Sequence, residues 1–129
     1  MESVKIQVRF ADIDVMGHVN NAVYLSYFEM ARVLIFSKLL GSNWDWNQFG
    51  VLLRKNEIEY LKPVTLNEQP TISLKTEKLG TKSFVLSYEL KVNDEVRTTG
   101  SSVMVCFDSS KNQTIEIPNK MREILESLV

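Results

Sequence analysis

The sequence predicts an α+β domain in which one long helix is wrapped by an antiparallel sheet. Three features carry that expectation. An alternating apolar strand opens the chain, a helical stretch over residues 22–40 is apolar almost all round, and several strand-like segments separated by turn signals follow it. A chain of 129 residues that is 44% hydrophobic and 24% charged is expected to form one domain, residues 1–129, with a sizeable core.

The elements follow in order. Val4, Ile6, Val8 and Phe10 alternate with Lys5, Gln7 and Arg9, which is the period of a strand with one covered face. The pattern stops in a turn-rich loop over residues 11–21. Residues 22–40 then read as a helix ended by Gly41 at C′. Its polar residues, Ser26, Glu29, Arg32, Ser37 and Lys38, share no face, so the helix is expected to be buried and wrapped by the rest of the chain. After a Trp-rich connector come strand-like segments at 51–62, 69–79, 83–92, 95–107 and 113–117, giving a sheet of five to six strands. Asn93-Asp94 reads as a tight hairpin turn and 108–112 as a longer one, while Pro63 ends its strand. A short amphipathic helix over 119–128 closes the chain on Met121, Ile124, Leu125 and Leu128.

Composition removes several function classes. Fifteen basic against sixteen acidic side chains, with no charge run, argue against a nucleic-acid partner. No stretch approaches the ~20 apolar residues of a membrane span, and Met1-Glu2-Ser3-Val4-Lys5 turns strand-like at once, unlike a signal peptide. Cys106, the sole thiol, sits in an apolar run and reads as a core residue in a reducing compartment. A cytoplasmic protein is expected. One histidine and one cysteine far apart make no metal-ligand set.

The segment that carries chemistry is Asp12-x-Asp14-x-x-Gly17-His18-Val19-Asn20-Asn21-Ala22-x-Tyr24, followed by Phe28-Glu29-x-Ala31-Arg32. Read from residue type alone, Asp12 and Asp14 could both be turn or cap residues, and Gly17 suits a positive φ or a close approach of backbone to ligand. The motif and its surroundings resemble the hotdog-fold acyl-CoA thioesterases of the 4-hydroxybenzoyl-CoA thioesterase type. They are more similar still to the branch with a D-x-x-G-H-V-N-N-x-x-Y signature, which acts on acyl-CoA or acyl-carrier-protein thioesters. The resemblance covers essentially the whole chain. It implies a curved sheet around a central helix, and it aligns Asp14 with the family's catalytic aspartate and leaves Asp12 structural.

Thioester hydrolysis fits such a loop. The reaction needs a base or nucleophile near the carbonyl carbon and donors for the developing oxyanion, while a thiol of pKa roughly 8.5 leaves readily. Asp14 would supply the oxygen, as nucleophile or as general base, and the backbone N–H groups of Asn21 and Ala22 at a helix start would hold the oxyanion. His18 and Gly17 are expected to support the loop. Some relatives carry histidine or tyrosine where this chain has Asn21, so only a backbone role transfers to that position. Glu29 is the rival carboxylate, although Arg32 three residues on suggests an ion pair. Tyr24 and Phe28 are expected to line the acyl pocket, and Lys62 together with Lys82 and Ser83 to meet the phosphates of coenzyme A. The chain is expected to need no cofactor beyond the coenzyme A of its substrate and to form a homodimer or homotetramer. The rival readings are a hydratase of the same fold and a non-catalytic acyl-CoA-binding module.

Overall fold

The alternation Phe84, Leu86, Tyr88, Leu90, Val92 buries one whole face of a strand, and that face is the floor on which the long helix lies. The computed structural model describes residues 2–129. Its elements are β1 (Glu2–Lys5), α1 (Val23–Leu40), β2 (Gly50–Tyr60), β3 (Thr71–Leu79), β4 (Ser83–Val92), β5 (Glu95–Asp108), β6 (Gln113–Thr114) and α2 (Asn119–Ser127). The strands form one antiparallel sheet in the order β1-β3-β4-β5-β2, with β6 paired to β5. Register shifts at Leu53/Lys55, Thr76/Lys78 and Leu90/Lys91 are bulges, which increase twist and let the sheet curve around α1. This is the expected hotdog architecture, with six strands.

Local chemistry explains the joints. Asn93 and Asp94 both take positive φ (50° and 65°), the pair of left-handed residues that a two-residue hairpin between right-twisted strands requires. Gly41, at φ 90°, ends α1 while its N–H returns to the Ser37 carbonyl at 3.0 Å. α2 has one strongly apolar side, and it sets Met121 and Leu125 into the core beside α1 and β3.

Three expectations need correction. The first strand pairs only over Glu2–Lys5; Ile6 and Val8 continue the buried alternation, but Phe10 has turned out in a 3-10 turn and is 83% exposed. The last strand is shorter than expected, with Gln113 and Thr114 alone in the ladder. Helix α1 is not buried all round. Tyr24, Tyr27, Phe28, Ala31, Ile35, Phe36 and Leu40 face the sheet and α2, whereas Met30, Val33 and Leu34 are 46%, 56% and 49% exposed. Apolar residues on every side are therefore satisfied on one side only within this chain.

At the centre of the core the Phe28 ring stacks on Tyr88, with centroids 4.5 Å apart and planes 7° from parallel. Gly100 makes this possible, since a Cβ there would come within 2.7 Å of Phe28 Cε2. Phe28→Ala is expected to cost about 3–5 kcal/mol of unfolding free energy in urea titrations, and Gly100→Ala to destabilise through the clash. A Phe28→Ala variant as stable as the parent would contradict this core.

Candidate active site

Residues 10–22 join β1 to α1, and hydrogen bonds fix them almost residue by residue. Ile13 and Val19 form an isolated antiparallel bridge, so the loop closes as a small hairpin with Asp14 to His18 at its tip. The Asp14 N–H donates to the His18 carbonyl at 2.8 Å, and the Gly17 N–H donates to the Asp14 carbonyl at 3.1 Å. Gly17 takes φ 78° there, so its conformational freedom is needed. The Asp14 carboxylate caps the same turn. Its Oδ1 accepts the N–H groups of Met16 (2.9 Å) and His18 (3.3 Å), while Oδ2 accepts nothing among the described residues. One oxygen anchors the side chain and the other is open to a reactant.

Asp12, two residues earlier, has the opposite environment. It is 2% exposed and takes the Tyr27 hydroxyl at 2.7 Å, the Arg9 N–H at 2.9 Å and the Arg9 guanidinium at 3.1 Å. Burial alone would raise its pKa; these donors outweigh burial and hold it below the usual carboxylate range. Burial, followed by its hydrogen bond to Asp12, pushes the Tyr27 hydroxyl well up. Asp12 thus ties Arg9 to Tyr27 of α1.

A strut from the sheet supports the other side of the hairpin. Val19 N–H donates to the Val64 carbonyl at 2.8 Å, and His18 forms a bridge with Thr65. The turn carrying Val64 and Thr65 is clamped by Arg97, which donates to the Pro63 carbonyl at 2.7 Å and to both Glu68 oxygens at 3.0 and 2.7 Å, and also pairs with Glu95. The Arg97 guanidinium, with help from Thr65, draws the Glu68 carboxyl down to about 2. Sequence reading missed Arg97 and Glu68, although the Thr65-x-x-Glu68 spacing of a capping box was a signal, and the Thr65 N–H does donate to Glu68 at 2.9 Å. It also missed Tyr60, whose hydroxyl donates to the Asn21 carbonyl at 2.8 Å and ties the end of β2 to the start of α1.

The remaining expected site residues divide. The Ala22 N–H is taken by Asn20 Oδ1 at 2.9 Å, whereas the Asn21 N–H has no partner among the described residues. Of the two expected oxyanion donors, the structure leaves Asn21 available. Tyr24 and Phe28 are buried core side chains, with Phe28 stacked on Tyr88. Glu29 is exposed and unpaired with Arg32, which instead donates to the Tyr88 hydroxyl at 3.0 Å and Ser102 Oγ at 3.5 Å. Lys62 lies on the loop's side of the sheet but is bridged to Glu95 at 3.2 Å. Lys82 and Ser83 sit at the far end. Ser83 pairs with Val105 of β5, whereas Thr98 pairs with Tyr60 at the loop end, and that length of strand spans about 20 Å.

A cavity of about 340 Å³ opens between α1 and β2. Glu29 and Arg32 stand on its helical side, and Val33, Phe36, Trp46, Leu53, Met104 and Met121 make the rest mostly apolar. Among the described residues no three His, Cys, Asp or Glu side chains gather as a metal site, and no helix is long and apolar enough to cross a membrane.

Comparison with known proteins identifies the family to which the fold belongs. Residues 8–125 match the family model described as thioesterase-like superfamily. The chain is 29% identical to the long-chain acyl-CoA thioesterase FadM of Escherichia coli, over 97% of each chain. It is 25% identical to a 1,4-dihydroxy-2-naphthoyl-CoA hydrolase of Synechococcus elongatus, over 92% of this chain and 90% of the relative. Among solved structures, a thioesterase from Thermus thermophilus in complex with coenzyme A and Zn superposes with a TM-score of 0.84 at 30% identity, over 98% of this chain and 92% of the other.

The clamp gives a pH-dependent test. Glu68 is 25% exposed and its folded carboxyl titrates near 2, below the ordinary 4.5. A depressed carboxyl stabilises the fold fully above its unfolded value and loses that contribution as pH falls toward the folded value. Glu68→Gln is therefore expected to cost about 1–3 kcal/mol at pH 7, and the gap between variant and parent in thermal melts should close between pH 4.5 and about 2. A gap that stays constant across that window would contradict the clamp.

Proposed function

The chain belongs to the thioesterase-like superfamily, and we propose that it hydrolyses acyl-CoA thioesters in the cytoplasm, releasing free acid and coenzyme A, with Asp14 as the catalytic residue. The observation that carries this reading is the state of the Asp14 carboxylate: Oδ1 held by two backbone N–H groups and Oδ2 free, in the loop that leads into the long helix. The names of the relatives support acyl-CoA as the carrier, spanning a long fatty chain and a fused aromatic acyl group.

In the proposed reaction the carbonyl carbon lies beside Asp14 Oδ2. As general base, Asp14 takes a proton from water while the water oxygen bonds to the carbonyl carbon. The carbonyl electron pair moves to oxygen, where the Asn21 N–H and the positive end of α1 stabilise it. Collapse of that intermediate breaks the carbon–sulfur bond, and the thiolate of coenzyme A leaves and takes a proton. As nucleophile, Asp14 would first form a mixed anhydride that water then opens; both routes use the same oxygen. No cofactor enters either route. Lys62 is the basic residue on the loop's side suited to a phosphate of coenzyme A, whereas Lys82 and Ser83 suit only a site to which a second copy contributes them.

Assembly belongs to the same proposal. β2 is a long outer strand of the sheet, with Leu52 and Leu53 each 46% exposed, and α1 leaves Met30 and Leu34 uncovered as well. Such a surface suits a second copy of this chain, giving a homodimer or a tetramer built from it.

Two measurements test this. Asp14→Asn keeps size and the turn contacts, so kcat for thiol release from acyl-CoA should fall at least ~10²-fold while the melting temperature changes little. A variant that keeps the parent rate moves the chemistry elsewhere, with Glu29→Gln next to be assayed, and a parent that binds acyl-CoA without releasing thiol is a binding module. Light scattering at micromolar concentration should give a dimer or larger; a fully active monomer would refute the assembly.

A further inference from the structure

The free Asn21 N–H belongs to a turn whose other backbone groups are spent, and one of them is held from outside. Two peptide planes meet at Asn21. In the first, the Asn20 carbonyl accepts the Val23 N–H at 2.9 Å, and the Asn21 N–H is left open. In the second, the Ala22 N–H donates to Asn20 Oδ1 at 2.9 Å, and the Asn21 carbonyl accepts the Tyr60 hydroxyl at 2.8 Å. The two bonds to Asn20 are local and set the shape of the turn. The Asn20 N–H, on the Asp12 carbonyl at 2.8 Å, ties the turn to its own loop. Among the described residues, the Tyr60 hydroxyl alone hydrogen-bonds residues 20–23 to the sheet.

Tyr60 is firmly held at its own end. It closes β2 and pairs with Thr98, and just beyond it the Leu61 and Lys62 N–H groups both donate to the Arg97 carbonyl, at 2.9 and 3.0 Å. Its ring meets the buried Tyr24 ring, in the first turn of α1, edge to face with centroids 5.2 Å apart. Tyr60 nonetheless stays 44% exposed, so its hydroxyl is not a core group that folding must satisfy. We propose that Tyr60 is a positioning residue: by holding the Asn21 carbonyl, its hydroxyl fixes the direction in which the Asn21 N–H meets the developing oxyanion. This rests on the thioesterase reading above and deepens it. Peptide units are planar and rigid, so the free N–H changes direction only by rotation at residues 20 and 21. An anchor on the carbonyl that follows Asn21 opposes that rotation. An oxyanion donor acts by being aimed before the charge forms, and a misplacement of ~1 Å is enough to cost rate. Tyr60 touches no reacting atom and acts through Asn21.

Tyr60→Phe tests this, since it keeps the ring on Tyr24 and removes only the hydroxyl. With decanoyl-CoA and benzoyl-CoA as substrates, kcat for thiol release should fall at least ~fivefold while KM and the melting temperature hold. Infrared difference spectra read the donor itself. Carbonyl-13C decanoyl-CoA bound to Asp14→Asn should show its carbonyl stretch moved to lower frequency, and Asp14→Asn/Tyr60→Phe should lose part of that shift. The inference is overturned if Tyr60→Phe keeps the parent kcat, or if the carbonyl stretch is the same with and without the hydroxyl. It is also overturned if KM alone rises, or if kcat falls only together with the melting temperature, because the bond then supports the fold and not the donor. A parent that releases thiol from neither substrate overturns the thioesterase reading itself, and this inference with it.

Discussion

The loop that carries the candidate site hangs on one buried carboxylate. Asp12 joins the strand, the loop and the helix at one point: Arg9 and Tyr27 donate to its side chain, and the Asn20 N–H donates to its carbonyl at 2.8 Å. A charge so deeply covered is tolerated only while those donors remain. The arrangement thus permits one placement of the hairpin against α1 and holds the Asp14 tip and the helix start in fixed relation. The second support, the Arg97–Glu68 clamp, meets the hairpin from the sheet through Val64 and Thr65. Between the two supports the loop has little freedom, which is what preorganised catalysis asks of it.

Two aspartates two residues apart thereby acquire different work. Asp12 is surrounded by donors and committed to structure. Asp14 spends one oxygen on the turn and keeps the other. Identical functional groups separated by environment are a recurrent way of assigning roles within a site. The free Asn21 N–H lies just ahead of the helix, while the helix's third and fourth turns wall a cavity.

Much of this was legible in the sequence because it is local. Period-two alternation fixed β4, paired left-handed residues fixed the Asn93-Asp94 turn, and the motif located the loop. The errors arose where burial depends on what lies across space. Phe10 continues the strand pattern, but the 3-10 turn over Phe10–Asp12 that puts Asp12 under Tyr27 swings it outward. Glu29 and Arg32 have ion-pair spacing, yet two hydroxyls from β4 and β5 capture the guanidinium. Met30, Val33 and Leu34 continue an apolar helix yet are half-exposed, since nothing in the same chain covers that side. An apolar helix reads as buried on all sides, and a sequence does not say whether the cover comes from its own chain, a ligand or a second copy.

The central claim, that Asp14 faces the thioester from the loop that leads into α1, is tested most directly by a crystal structure of Asp14→Asn bound to an intact acyl-CoA. The account places the carbonyl carbon about 3–3.5 Å from a side-chain atom of residue 14, with its oxygen toward the Asn21 N–H. A thioester seated beside Glu29, or anywhere that residue 14 does not reach, would contradict it.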